Sequence, residues 1–95
     1  MISQRDVKKV SSEIVFAAAT VAGCPYTTLL DVNGREIFVN VEAYINEDGI
    51  SSYLVEVSPD GYKFNRRSFK DTPQAVKYLS EKINQASGQA KRWRF

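Results

Sequence analysis

Residues 26–45 read YTTLLDV-NG-REIFVNVEAYI, from Tyr26 to Ile45, and the Asn33-Gly34 pair at their centre decides how the rest of the chain folds. A two-residue type I′ turn needs positive φ at both central positions, and Asn followed by Gly meets that need with little strain. A turn of that length also sets the register of the two arms. Val32 opposes Arg35, Leu30 opposes Ile37, Thr28 opposes Val39 and Tyr26 opposes Val41, and this series, continued by Ala43 and Ile45, forms the expected core face. The other face carries Thr27, Asp31, Glu36, Asn40 and Glu42, but also Leu29 across from Phe38, with Tyr44 further along. It is therefore only partly polar.

Upstream of the hairpin, Val7, Val10, Ile14, Ala17, Ala18 and Val21 recur at three- and four-residue spacing, which predicts a helix over about residues 4–22 with Ser3 as N-cap and Asp6 in its first turn. Gly23 and Pro25 end it. Downstream, Asn46-Glu47-Asp48-Gly49 reads as a turn and residues 52–58 as a third strand, in which Tyr53, Val55 and Val57 alternate with Leu54 and Glu56. Ser58-Pro59-Asp60-Gly61 is a second turn, followed by a fourth strand over residues 62–69 whose mixed faces suit a sheet edge. Asp71-Thr72-Pro73-Gln74 opens the last helix with two candidate caps, and Val76, Leu79 and Ile83 form its apolar stripe up to Gly88. The order is α-β-β-β-β-α. It predicts an α+β fold, with an antiparallel sheet of three or four strands and both helices packed on one face. Residues 1–88 form the single domain, and residues 89–95, QAKRWRF, form a basic-aromatic tail.

With 95 residues, 43% of them hydrophobic and 25% charged, the composition is that of one ordinary globular domain. Its charge is unevenly spread. Up to Asp60 there are four basic and nine acidic residues, a balance of −5; from Gly61 onward nine basic and two acidic residues give +7. That density of Lys and Arg points to an anionic partner.

Several classes of chemistry find no support. The chain has no histidine, so the commonest proton shuttle is missing, and general acid-base work would fall to carboxylates or lysines that no motif singles out. The single Cys24 allows no disulfide within the chain and no Cys-His metal site, and it fits a reducing cytoplasm. It follows helix 1 at its negative end, a poor position for a nucleophilic thiolate, so it reads as a buried structural thiol. Val21-Ala22-Gly23-Cys24 is similar to a bacterial lipoprotein processing box, yet Asp6 and Glu13 acidify what should be a basic leader. The apolar run before it is too short to span a membrane. The expectation is a non-enzyme with no cofactor and no metal.

The segment YKFNRRSFK, residues 62–70, interleaves aromatic and basic residues, as does the KRWRF tail. That mixture suits phosphate contact with base stacking, so DNA or RNA binding is expected through Lys63, Arg66, Arg67, Lys70, Lys91, Arg92, Trp93 and Arg94. Strand alternation offers a plainer account, in which Tyr62, Phe64 and Phe69 turn into the core while the cations face water. The order from Tyr53 through Ile83 (strand, Pro-Asp-Gly turn, strand ending Arg67-Ser68-Phe69, then Thr72-Pro73-Gln74-Ala75 opening a helix) resembles the sheet-plus-helix module of AP2-type and integrase arm-binding DNA domains. The resemblance implies a sheet laid in a major groove. Helix 1 is extra to that pattern, and Glu42 and Glu56 depart from it on strands that would face DNA. Helix-strands-helix order is also similar to that of double-stranded RNA-binding domains, whose lysine-rich start of the last helix is here Asp71-Thr72-Pro73-Gln74. The alternative expectation is a protein-binding module, such as a small phage- or plasmid-type antagonist of a host complex. It would use Leu29, Phe38, Tyr44, Trp93 and Phe95, with a homodimer as one of its forms.

Overall fold

A computed structural model of the chain describes residues 2–88. The hairpin forms as its turn dictates: Asn33 has φ 54° and Gly34 φ 82°, and β1 (Tyr26–Val32) pairs with β2 (Arg35–Asn46) in the predicted register throughout. The Asp31 carboxylate accepts the Gly34 N–H at 3.0 Å and pins the turn from inside. β3 (Gly49–Ser58) and β4 (Asn65–Phe69) complete one antiparallel sheet in the order β1-β2-β3-β4. α1 (Val7–Thr20), preceded by a 3₁₀ turn over Gln4–Asp6, and α2 (Thr72–Ala86) lie side by side on one face of it.

The core fills the space between the layers. Leu30, Val32, Ile37, Val39, Val41, Ala43, Tyr53, Val55 and Val57 are buried on the sheet side. From above, α1 contributes Val7, Ile14, Val15 and Ala18, and α2 contributes Ala75, Val76, Leu79 and Ile83. Burying apolar surface at roughly 25 cal/mol per Å² is the main force holding such layers together. The Asp71 carboxylate caps α2 by accepting the Gln74 N–H at 2.9 Å, which leaves the Thr72 hydroxyl to pair with the Tyr53 hydroxyl at 2.9 Å.

The structure corrects the sequence reading at five places. Ser3 does not cap α1 in the usual way: its hydroxyl donates to Asp6 Oδ2 at 2.9 Å, and the first turn closes as 3₁₀. The stripe of α1 keeps Val7, Ile14 and Ala18 as expected but adds the buried Ser11 and Val15, leaving Val10 and Ala17 half-buried, while Val21, beyond the end of the helix, stays 45% exposed. Cys24 is exposed, because the chain crosses there from α1 to β1, with the Gly23 N–H donating to the Ala43 carbonyl at 2.9 Å. Ile45 is 57% exposed and not part of the core, since β2 and β3 run on past the helices and past both outer strands. The last rungs of that pair, Tyr44 to Ser52, form a projecting arm whose turn is only Glu47-Asp48 and whose ladder shifts register between Tyr44 and Ile45.

The fifth correction is the start of β4, which begins at Asn65 and not at Tyr62. Asp60 Oδ1 accepts the N–H groups of Tyr62 at 2.8 Å and Lys63 at 3.1 Å, so these donors turn inward to a side chain instead of joining a ladder. The Ser58 hydroxyl donates to the same oxygen at 3.0 Å and accepts the Gly61 N–H at 2.8 Å. Led by the Tyr62 and Lys63 amides, these donors hold the Asp60 carboxyl below its usual value of 3.8, against a smaller opposing effect of desolvation. A carboxyl so depressed stabilises the fold above its unfolded-state value, and that contribution is lost as pH falls through the lower folded-state value. Asp60→Ala is therefore expected to flatten the acid limb of stability, measured as melting temperature down an acid series. A limb as steep as that of the parent protein would remove Asp60 from the account.

Candidate functional site

Strand alternation sends every second residue of the sheet to the side without helices, and the registers line four of them up in one row. Thr27 on β1 stands opposite Asn40 on β2, Asn40 opposite Glu56 on β3, and Glu56 opposite Arg66 on β4. The Thr27 hydroxyl donates to Asn40 Oδ1 at 2.7 Å, Asn40 Nδ2 donates to Glu56 Oε1 at 2.6 Å, and Arg66 Nε donates to Glu56 Oε2 at 2.6 Å. One hydrogen-bonded rail thus crosses all four strands. Glu56 is its hub, with a side chain only 13% exposed against 66% for Arg66.

Beside this rail lies an apolar strip. Leu29 and Phe38 oppose each other and are 48% and 37% exposed, and Phe64, 43% exposed, leans in from the loop before β4. Phe38, Phe64, Asn40, Glu56, Arg66 and Pro25 are among the residues that line a shallow depression of about 400 Å³. Gly61 holds the loop down on it: a Cβ at Gly61, where φ is +82°, would come within 3.2 Å of the Phe38 ring. Further residues of the same face are Asp31, Glu36 and Glu42, all acidic. Among the described residues the face is apolar and acidic, and its one arginine is already paired.

The expected nucleic-acid residues are not drawn together. Arg66 faces the open side on Glu56, whereas Arg67, opposite Val55, faces the helix side with its guanidinium 5.7 Å from the centre of the Phe69 ring. Lys63 sits exposed in the loop and Lys70 exposed beyond β4. Lys91, Arg92, Trp93, Arg94 and Phe95 lie outside the described residues. Of the aromatics of residues 62–69, only Phe69 packs on the core, with its ring centre 5.1 Å from that of Tyr78; Tyr62 is 89% exposed and Phe64 belongs to the open face. Burial pushes the Tyr78 hydroxyl above its ordinary value of 10.0, with Arg67 opposing. Lys82 Nζ lies 5.5 Å from the Tyr78 ring centre, so the helix side of β4 gathers two cations over two rings.

Of the residues expected to bind protein, Leu29 and Phe38 stand opposite each other, and Tyr44, 40% exposed, stands further out on the arm. Sequence reasoning left Thr27, Asn40, Glu56 and Phe64 out of the site. The first two were readable from the hairpin register, while Glu56 and Arg66 required the β3-β4 register, which no two-residue turn sets. No helix among the described residues is long and apolar enough to cross a membrane. Compared with protein-family models, with curated proteins and with solved structures, the chain matched none.

Proposed function

We propose that the protein is a non-enzymatic recognition domain that receives another protein on the open face of its sheet. One observation carries this reading: the exposed Leu29, Phe38 and Phe64 lie beside a hydrogen-bonded rail in which Glu56 neutralises Arg66. Aromatic groups flanking fixed polar ones are what a protein partner uses as anchors. Asp31, Glu36 and Glu42 on the same face repel phosphate and favour a partner with a basic rim around an apolar centre. In this reading the domain is a binding or occluding module, and no step of chemistry is needed.

The test pairs an affinity capture with a salt titration. A partner retained by the parent protein is expected to be lost from Phe38→Ala combined with Phe64→Ala, two exposed sites whose removal leaves the core intact. Retention by that double variant overturns the reading. In parallel, mixed DNA and RNA are titrated with salt. Tight binding with a log-log slope of about −3 to −5, as four to six phosphate contacts give, would replace the protein partner with a polyanion.

A further inference from the structure

The two edges of the sheet differ in kind. β4 ends it with NRRSF, which places the charged Arg66–Glu56 pair on the open face and Arg67 on the helix face, and charged groups along an edge strand disfavour its pairing with a copy of itself. β1 ends it with YTTLL, residues 26–30, uncharged and rich in strand-forming residues. Because Val32 and Arg35 flank a two-residue turn they form a hydrogen-bonded pair, and so do Leu30 with Ile37 and Thr28 with Val39. The peptide groups of Thr27, Leu29 and Asp31 therefore point outward. At one end that direction is already used: Ile2 lies parallel beside Val32, its N–H donating to the Asp31 carbonyl at 2.7 Å and its carbonyl accepting from the Asn33 N–H at 3.1 Å. From Thr27 to Leu29 no strand lies alongside among the described residues.

We infer that this edge pairs antiparallel with the same edge of a second copy, about a twofold axis at Thr28, joining two four-stranded sheets into one. In that register the Thr27 N–H and C=O meet the Leu29 C=O and N–H of the second copy, and the axis repeats the exchange. Next along, Asp31 faces Pro25 of the second copy. Pro25 has no N–H, and the Asp31 carbonyl that would have received one is already held by Ile2, so neither end of the pairing leaves a donor or acceptor stranded. On the open face, Leu29 gains cover from Thr27 and Leu29 of the second copy. On the helix face, Lys8 and Ser12 line the groove between α1 and α2, whereas Val10 lies on the other flank of α1, over Ile2 and Leu30. Ala17, seven residues after Val10, lies on that same flank, but Asp6, Lys9 and Glu13 line it beside Val10 and Ile2, so α1 brings charged groups of both signs and little apolar area to the pairing. The pairing needs only the edge and holds whatever docks on the open face.

Sedimentation equilibrium of the parent protein from micromolar to millimolar concentration should show mass rising from 10.7 kDa toward twice that value, with the Thr27 and Leu29 amides slowing in hydrogen exchange as it rises. Leu29→Pro removes the outward N–H but no bond to β2, and should weaken the dimer by ~10- to 100-fold for the two bonds lost across the axis. Leu29→Lys keeps every backbone donor while setting two like charges near the axis, and should weaken it too if the proline distorts the strand. A monomeric mass throughout, or a dimer indifferent to both variants, overturns the pairing. So does protection of the Thr27 and Leu29 amides at concentrations where the chain is monomeric, since the edge would then be covered from within the same chain.

Discussion

Leu79→Ala is expected to lower the unfolding free energy by about 2 to 5 kcal/mol, a large share of the ~5–15 kcal/mol that a domain possesses. Leu79 is fully buried on α2, between α1 and the sheet. Ala is the better helix former, so helix propensity cannot account for any loss, and the change isolates packing. The methyl and methylene groups removed carry ~0.8 kcal/mol each as transfer energy, and the unfilled space they leave adds to that. For a domain of this size each kcal/mol moves the midpoint by about 4 to 8 °C, so the melting temperature should fall by at least ~8 °C. Glu81→Ala, on the exposed side of the same helix, should shift it little. Equal shifts for the two variants would mean that α2 is not packed as described.

The second large effect is expected at Glu56. Its carboxylate takes one hydrogen bond from Asn40 and one from Arg66, and the two differ in worth. The Arg66 side chain is 66% exposed, so its ion pair contributes at most ~1 kcal/mol. The part-buried Asn40 amide donates to an ionised acceptor, a bond of about 1.5 to 3 kcal/mol, and it dominates. Glu56→Ala should therefore destabilise by roughly 1.5 to 3 kcal/mol. Glu56→Gln can still accept from Asn40 and should cost clearly less. Both variants free Arg66 and strip one acid from the open face, so both should raise affinity for DNA or RNA and steepen its salt dependence. Unfolding by urea reads the first effect and a salt titration the second. If Glu56→Gln proves as damaging as Glu56→Ala, the carboxylate's charge and not the Asn40 bond carries the rail.

How much of this could be read beforehand depended on how local the deciding interaction was. The hairpin was legible to the residue because Asn33-Gly34 specifies a backbone conformation and the period of two does the rest. The α2 start was legible for a similar reason, although only the structure chose Asp71 over Thr72 as the cap. β4 was misplaced by three residues because the competitor was a single side chain: Asp60 gathers amides that alternation alone would assign to a ladder. Ile45 and Cys24 were put inside because pattern shows which way a residue faces but not how far the opposite layer reaches. The candidate site was half visible. Leu29 and Phe38 came from one turn, whereas the partnering of Arg66 by Glu56 depends on a six-residue connection whose geometry Ser58, Asp60 and Gly61 settle among themselves.

The projecting end of β2 and β3 has water on both sides, and its few cross-links share no burial with the main body. It can unzip and close again while the remainder stays intact, so its amides should trade deuterium soonest. The Glu47-Asp48 tip is accordingly where a foreign loop or an epitope could be spliced in at little cost to the whole.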